Sequence, residues 1–308
     1  MSDKHADDWG NYWQGRAATE AGAALVGVGV ETDEDINAFW STQLGVLPKT
    51  AKLLDLACGA GTVIRQGLEL GLKNVTGVDI SGDAIKTLKA AYPEAEGVVA
   101  SADATGLPDA SFDVVVSQFG FEYADPIKAA IEASRLLASG GRFTALAHAQ
   151  NSAIEAEVVQ HGTNARDILE SGFIDTARSL FIVVMKNGDD AAFAKASQEF
   201  SAPQQIVLEL AKRTSGLAAH LYEGTQTLYT RRRAYALEDI TGWLSGMEAE
   251  IKAYVGRMDS MRKAALSANQ AEAVLSALQG QGLKPAPLKP FVSARGDTIG
   301  WALSAQKD

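Results

Sequence analysis

Cysteine is almost absent from this sequence, which contains a single one, Cys58, among 308 residues. One thiol excludes an intrachain disulfide and a cysteine-based zinc cluster, and it fits a reducing compartment. No run of about 18 apolar residues occurs, and no apolar segment follows a basic stretch at the start. These absences predict a cytoplasmic protein with no membrane partner.

Basic side chains are the second deficit, with 28 Lys and Arg against 38 Asp and Glu and a formal net charge of −10. This balance disfavours the phosphate backbone of a nucleic acid as the main partner. No group of His, Asp and Glu has metal-ligand spacing, so no metal is predicted. The hydrophobic fraction of 46% is enough for a substantial core, which predicts a packed globular protein.

The middle of the chain alternates short runs rich in Val, Ile and Leu with stretches of helical spacing. This pattern is typical of parallel strands joined by crossover helices, which is the doubly wound, Rossmann-like α/β fold. The five predicted strands are Lys52–Ala57, Asn74–Ile80, Gly97–Ala104, Phe112–Phe119 and Arg142–Ala149.

Three further regions surround this core, which we assign to residues 51–150. Residues 1–50 are predicted to form an N-terminal helical arm, and residues 151–282 read as successive helices, a large insertion that we expect on the substrate side. In residues 283–308, two strand-like segments joined through Arg295-Gly296-Asp297 predict an antiparallel hairpin that completes a seven-stranded sheet. The insertion could equally form a lid or the interface of a homodimer.

The most informative stretch is Leu53 to Thr62, in which an apolar strand runs into a glycine-rich turn and then a helix. Glycines at 59 and 61 allow a tight turn and a close approach of the backbone to a ligand. Asp79 follows twenty residues after Gly59, where a carboxylate can accept hydrogen bonds from ribose hydroxyls.

Two residues distinguish this loop from a dinucleotide-binding turn. The dinucleotide fingerprint has a third Gly or Ala three residues after the second glycine, but this chain has Ile64 there. Asp55 also places a carboxylate beside the loop, which would repel a pyrophosphate but suits a cation. A ligand with an ammonium or sulfonium group is therefore favoured.

Segment Asp55-Leu56-Ala57-Cys58-Gly59-Ala60-Gly61-Thr62 resembles the first motif of class I S-adenosylmethionine-dependent methyltransferases, and Val78-Asp79-Ile80-Ser81 resembles their second. The stretch from Ser101 to Val115 is similar to the segment that holds adenine, and Leu136 to Phe143 to the turn before the fifth strand. The four motifs occur in the family's order and spacing, and the resemblance covers about Leu53 to Ala149.

The resemblance implies S-adenosylmethionine as the cofactor, with S-adenosylhomocysteine as the product. It implies that the glycine loop holds the methionine portion and that the second motif holds the ribose hydroxyls. The adenine ring would lie between the second motif and the segment that starts at Ser101. The end of the fourth strand would border the methyl group. The cofactor-binding residues it implies are Asp55, Ala57, Gly59, Gly61, Asp79, Ile80, Asp103, Ala104, Gln118 and Phe119.

His148 ends the fifth predicted strand and is a candidate general base, although a histidine that only packs at a strand end is the alternative. Glu122 and Tyr123 follow the fourth strand and are candidates for the substrate pocket. In the N-terminal arm, Tyr12 and Trp13 are substrate candidates. Arg16 lies on the same helix face, where it would pair with the methionine carboxylate.

The sequence thus predicts methyl transfer from S-adenosylmethionine to an O, N, S or C atom of a small molecule. Phe119-Gly120-Phe121-Glu122 stands where base-directed members of the family carry Asn-Pro-Pro-Tyr or Asp-Pro-Pro-Tyr, which again disfavours nucleic acid. Two alternatives stay open, a nicotinamide-dependent oxidoreductase and a non-catalytic protein that binds the cofactor or a partner.

Overall fold

A central sheet organises the computed structural model, which describes residues 30–213 and 216–308. Within these ranges no helix is long and apolar enough to cross a membrane. The strands are β1 (Lys52–Leu56), β2 (Asn74–Asp79), β3 (Glu96–Val99), β4 (Phe112–Gln118), β5 (Leu137–His148), β6 (Leu283–Pro285), β7 (Lys289–Val292) and β8 (Thr298–Lys307).

Ten α-helices and two short 3₁₀ helices, Phe121–Tyr123 and Arg232–Ala234, accompany the sheet in the described ranges. Two of them, for example, begin at capping side chains: the Ser81 hydroxyl accepts from Ala84 N, and the carboxylate of Asp125, which precedes Pro126, accepts from Ile127 N. The helices are α1 (Val30–Gly45), α2 (Thr62–Glu69), α3 (Gly82–Ala91), α4 (Pro126–Leu136), α5 (Ala153–Glu170), α6 (Phe173–Met185), α7 (Asp190–Arg213), α8 (Leu217–Thr230), α9 (Leu237–Ala264) and α10 (Ala268–Gly280).

The sheet has the strand order β3-β2-β1-β4-β5-β8-β6, with β7 also paired to β8. Strands β1 to β5 are parallel, and β8 runs antiparallel to β5. The predicted doubly wound α/β fold with an antiparallel closing hairpin is therefore confirmed. The order reverses between β1 and β4, which places a topological switch point at the carboxyl ends of these two strands.

The closing hairpin differs from the prediction in one respect. The first strand of the hairpin forms as β7, but a short extra strand, β6, precedes it. Both pair with successive lengths of β8, so the described residues contain eight strands instead of seven. Pro285, Pro287 and Pro290 lie in or between these two strands. Proline has no N–H to donate, so it is tolerated at an edge strand and interrupts the pairing there.

Two predicted boundaries are also corrected. The third strand ends at Val99 instead of Ala104, because the chain turns at Ser101–Ala104, where the Ser101 hydroxyl donates to the Asp103 carboxylate. The turn expected between Leu136 and the fifth strand is absent, because β5 starts at Leu137 and accommodates Gly140, at φ 75°, opposite an irregularity in β4.

The chain divides into two compact units. One holds the sheet and contains the described residues up to Val158 together with Ser260–Asp308, and the other is Val159–Asp259. The second unit is shorter than the predicted insertion of residues 151–282, because Ala271, Val274 and Leu278 of α10 are buried in the core of the first unit.

The second unit has its own core, formed by apolar side chains of α5 to α9. Phe173, Phe181 and Leu244 are among its fully buried members, with at most 1% of each side chain exposed. Helices α5 and α9 continue across the boundary between the units.

Of the predicted N-terminal arm, only its final part lies in the described ranges. Helix α1 buries Ile36, Trp40 and Leu44, as the helical spacing predicts. Phe39 on the same helix contacts Trp40 and Phe291 of β7 through ring edges, at centroid distances of 5.0 and 5.4 Å. This part of the arm therefore packs on the unit that holds the sheet.

Candidate functional site

The carboxyl ends of β1 and β4 carry unusual backbone. Ala57 directly follows β1 and Phe119 directly follows β4, and both have positive φ, 55° and 51°. Such values are uncommon for residues other than glycine and are maintained only where the surroundings enforce them. Both lie at the switch point, which is where open α/β sheets bind ligands.

The glycine-rich turn after β1 needs its glycines for conformation and for space. Gly59 and Gly61 have φ of 53° and 90°, and Gly61 stands directly before helix α2. A β-carbon at Gly61 would lie 2.4 Å from the Leu88 side chain. Glycine at position 61 therefore allows both the left-handed backbone and the close packing of the turn against α3.

Asp55 projects from β1 beneath this turn and is 2% exposed. Its Oδ1 atom has no hydrogen-bond partner among the described residues. A buried carboxylate oxygen without a partner is costly, and in native structures it usually indicates a missing donor. The side chain is thus suited to receive a donor or a cation from a ligand.

Asp79 ends β2 and connects the second strand to the glycine turn. Its Oδ2 accepts from Gly59 N at 2.9 Å, and its Oδ1 accepts from Ser81 N at 2.8 Å. Each carboxylate oxygen has a second lone pair, so the pair of oxygens can still accept from two hydroxyl groups. Asp79 therefore shapes the loop and retains acceptor capacity.

These carboxyl groups form an acidic, poorly hydrated site. Burial raises the pKa of Asp55 well above its ordinary value, and the nearby Asp79 raises it further. Burial also raises the pKa of Asp79, opposed by the N–H groups of Ser81 and Gly59. The pKa of the Cys58 thiol is raised well above its usual range, first by burial, so this thiol is not activated as a nucleophile.

The remaining residues predicted near β2 and β3 lie at the surface of the same edge. Ile80 directly follows β2 and is 36% exposed, an unusual exposure for a large apolar side chain beside a buried strand. Asp103 is half-buried and Ala104 is exposed in the turn after β3.

A network that the sequence did not predict holds this turn. Glu132 of α4 accepts from Thr105 N at 2.9 Å and from the Thr105 hydroxyl at 2.6 Å, and it also pairs with Arg135. The Arg135 hydrogen bond, with the two from Thr105, lowers the pKa of Glu132 to about 2. No periodic or motif signal joins Thr105 to an acid 27 residues later.

A second unpredicted residue, Ser117, connects β1, β4 and the turn that follows. Its hydroxyl donates to Leu56 O at 2.7 Å and accepts from Phe121 N at 3.1 Å. In the sequence, the available signal was a serine inside the apolar run that forms β4. Beyond it, Gln118 has a buried Oε1 without a partner among the described residues.

Three residues predicted separately meet at the ends of β4 and β5. Glu122 Oε1 accepts from His148 N at 2.9 Å and lies 2.8 Å from His148 Nδ1. Tyr123 contacts the same imidazole edge-on, with ring centroids 5.8 Å apart. The Phe119 ring lies on another side of the imidazole, with the two ring centroids 4.7 Å apart.

Tyr12, Trp13 and Arg16 were predicted to face the cofactor or the substrate. They lie outside the described residues, so their roles stay predictions. All the other predicted site residues belong to the unit that holds the sheet.

Comparison with known proteins concerns the same part of the chain. A family model described as a methyltransferase domain matches residues 54–145. An uncharacterized methyltransferase of Mycobacterium tuberculosis is 34% identical over 98 residues, which are 32% of this chain and 40% of that protein. The ubiquinone/menaquinone biosynthesis C-methyltransferase of Campylobacter jejuni is 31% identical over 102 residues, 31% of this chain and 43% of that protein.

Among solved structures, an S-adenosylmethionine dependent methyltransferase from Mesorhizobium loti aligns with 28% identity and a TM-score of 0.33. The alignment covers 36% of this chain and 54% of that one, and a superposition this partial carries no argument. The chain spans only about 40% of the length of the curated relatives it matches. The similarity is therefore one of a domain.

Proposed function

We propose that the chain methylates a small molecule with S-adenosylmethionine as the methyl donor, because residues 54–145 match the methyltransferase-domain family model. The observation that carries this proposal is Asp55. A buried carboxylate with an unpartnered oxygen, on the strand that leads into the glycine turn, suits the ammonium group of a methionine-like ligand.

The residues at the edge of the sheet fit the parts of this ligand. The glycine turn would hold the methionine portion, Asp79 the ribose hydroxyls, and Ile80 one face of adenine. The turn after β3 would hold the edge of adenine, and the end of β4 would border the methyl group. In this proposal the cofactor is held by Asp55, Ala57, Gly59, Gly61, Asp79, Ile80, Asp103, Ala104, Gln118 and Phe119.

When bound, S-adenosylmethionine supplies a methyl group that its sulfonium already activates. The protein's own part is then to align an acceptor with that carbon and to exclude water. The acidic pair Asp55 and Asp79 favours a cationic ligand over its neutral product. Its buried surroundings strengthen this preference, because they lower the local dielectric constant.

A nicotinamide dinucleotide fits less well. Ile64 occupies the position of the third glycine of a dinucleotide turn, and it is fully buried. In a dinucleotide turn the third glycine lets the helix pack closely on the strand. Here the Ile64 side chain fills that space, since a β-carbon at Gly77 of β2 would lie 2.8 Å from Ile64 Cδ1. Asp55 would in addition repel a pyrophosphate.

A small acceptor with an O, N, S or C nucleophile remains part of the proposal, supported by the net charge of −10, which disfavours nucleic acid. A cytoplasmic location also belongs to it, because a single buried cysteine suits a reducing compartment.

Calorimetric titration of the whole chain with S-adenosylmethionine, S-adenosylhomocysteine and NAD tests the proposal. We expect micromolar dissociation constants, about −8 kcal/mol, for the first two ligands and no binding of NAD. Asp79→Asn should weaken the binding of S-adenosylhomocysteine by about 10- to 100-fold, since it removes the charged acceptors for the ribose hydroxyls. Asp167→Asn, which changes an exposed aspartate of α5, is the matched control and should bind normally.

The outcomes separate the alternatives. Binding of NAD alone would replace the proposal by an oxidoreductase. Binding of S-adenosylmethionine with no turnover of any acceptor would instead favour a non-catalytic cofactor-binding protein.

A further inference from the structure

We propose that Glu122 and His148 form a proton-accepting pair for the methyl acceptor, and that the acceptor is therefore a weakly acidic hydroxyl compound of the phenol type. This inference rests on the proposed methyl transfer. It starts from the contact of two buried side chains, His148 at 4% and Glu122 at 3% exposure, at the end of the sheet that carries the proposed cofactor site.

The hydrogen bonds determine which imidazole nitrogen is available. Glu122 Oε1 already accepts from His148 N and lies 2.8 Å from Nδ1. When Glu122 is ionised its carboxylate can only accept, and in that state Nδ1 carries the hydrogen while Nε2 of a neutral imidazole keeps its lone pair. Nε2 is buried and has no partner among the described residues. This arrangement is that of a base whose orientation a carboxylate sets.

The ring is held in place on several sides. Phe119 packs against it at a tilt of 44°, and Tyr123 contacts it edge-on at 89°. The backbone of His148 is fixed as well, because Leu266 N donates to His148 O at 2.8 Å. Pre-orientation of this kind is what a general base needs and what a merely space-filling histidine does not.

Glu122 has a second effect on the same reaction. When the imidazole takes up a proton it becomes a cation in a site with little water, and the adjacent carboxylate compensates that charge. The two groups lie 2.8 Å apart, close enough for a charge-assisted hydrogen bond. Glu122 is thus a positioning residue, and His148 is the group that contacts the acceptor.

The surroundings indicate the kind of acceptor. His148 also lines a small cleft in which Ile154, Val158 and Met261 stand beside the charged Glu155 and Arg262. The rings that pack on the imidazole are those of Phe119 and Tyr123, and an aromatic acceptor suits these neighbours. Phe119, against the ring, directly follows β4, where the transferring methyl is proposed to lie. A phenol, with a pKa of ~10, is neutral near pH 7 and becomes a strong nucleophile only after losing its proton. A thiol or a free amine depends less on such a base.

The step balances without a further reactant. The acceptor O–H bond breaks and its proton moves to His148 Nε2, while the oxygen forms a bond to the methyl carbon. The S–C bond of the donor breaks, its electron pair stays on sulfur, and the neutral thioether product results. The proton then leaves His148 to solvent.

The titratable and charged groups facing His148 are Glu122 and Tyr123 from the turn after β4. In the cleft they are Glu155 of α5 and Arg262 of α9. Among the described residues no hydrogen bond or ion pair joins the imidazole to Glu155 or Arg262, so Glu122 is the carboxylate that orients it.

The test compares two phenols in the full-length protein. Para-cresol keeps its proton at mildly alkaline pH, whereas para-nitrophenol has lost it there. Transfer from S-adenosylmethionine labelled in the methyl group would be measured for both, with cofactor affinity measured in parallel. His148→Gln should reduce kcat for para-cresol by about 10²- to 10⁴-fold and leave para-nitrophenol nearly unchanged. Glu122→Gln should reduce the para-cresol rate by about 10- to 100-fold.

The ratio of the two rates within one preparation does not depend on how much of a variant is folded. His161→Gln is the matched control, because His161 also makes one side-chain hydrogen bond, to Tyr254, but lies in the second unit. Equal losses for both phenols would overturn the role of the pair as a base. Unchanged cofactor binding without turnover of either phenol would overturn the acceptor class, whereas failure of wild-type protein to bind the cofactor would overturn the proposed function itself.

Discussion

At the scale of single residues, the edge of the sheet combines features that cost stability. Ala57 and Phe119 adopt left-handed backbone, and each such residue costs about 1 to 3 kcal/mol. Gly120 must remain a glycine, since a β-carbon there would lie 2.6 Å from Ala57 Cβ. Asp55 adds a buried carboxyl group with an unpartnered oxygen. Costs concentrated at one place point to a binding site.

Asp55 should show this conflict between stability and binding directly. Its pKa is raised in the folded chain, so the folded state keeps the proton at pH values where the unfolded chain has lost it. The contribution of the Asp55 proton to the free energy of unfolding is therefore complete below the ordinary aspartate pKa of ~3.9. It is lost as the pH rises through the raised pKa of the folded chain. Asp55→Asn should melt at a higher temperature than the wild type near neutral pH and at a similar temperature in acid.

The same variant should bind S-adenosylhomocysteine about 10- to 100-fold more weakly, because it loses the charge that attracts the ammonium group. Thermal melts by circular dichroism over a series of pH values, with calorimetry, measure both effects. Asp167→Asn is the control on an exposed helix face. A lower melting temperature for Asp55→Asn at every pH would contradict the account.

At the scale of elements, the turn after β3 depends on α4. Glu132 and Arg135, one helical turn apart, hold the backbone around Thr105 and Leu107, since Arg135 Nη1 also donates to Leu107 O at 2.8 Å. The turn that carries Asp103 and Ala104 is thus tied to a helix and not to a neighbouring strand. Its conformation is a property of packing between two elements.

Glu132→Gln should lower the free energy of unfolding at neutral pH by about 1 to 2 kcal/mol. This value allows for the partial screening of the side chain by solvent. The pKa of Glu132 is lowered to about 2, so its stabilising contribution is present above the ordinary glutamate value and is lost as the pH falls towards 2. The difference in melting temperature between the variant and the wild type should shrink over that interval. Glu272→Gln, an exposed glutamate of α10, should differ from the wild type at neither end.

At the scale of the whole molecule, the described residues form two compact units, each with buried apolar side chains of its own. Every described residue proposed to hold the cofactor belongs to the first unit. The second core contains none of them. Damage to the two cores should therefore have different consequences for cofactor binding.

A matched pair of phenylalanines tests this difference. Phe121 in the first core and Phe181 in the second are each at most 1% exposed, and truncation of either to alanine should cost about 3 to 5 kcal/mol. We expect Phe121→Ala to weaken S-adenosylhomocysteine binding and Phe181→Ala to leave it within about twofold at temperatures where the chain is folded. Urea denaturation and calorimetry provide the two measurements. Loss of binding in Phe181→Ala with the sheet intact would show that the second unit contributes to the cofactor site.

Local patterns were sufficient for much of the first unit. Alternating apolar runs predicted strands β1, β2, β4, β5 and β8, and the glycine turn followed by Asp79 predicted a nucleotide-type site at their carboxyl ends. These features depend on short-range physics, namely the burial of apolar strands and the conformational freedom of glycine. They can be read from neighbouring residues.

Other features required the fold. The extended start of β5, the extra strand β6 and the place of α10 in the first core depend on pairing and packing between distant segments. The Glu122–His148 contact joins residues 26 apart, and the sequence marked each one separately without indicating that they meet. Such contacts form because parallel strands end at one edge of the sheet. Which side chains then touch is decided by strand order and register, which no local pattern contains.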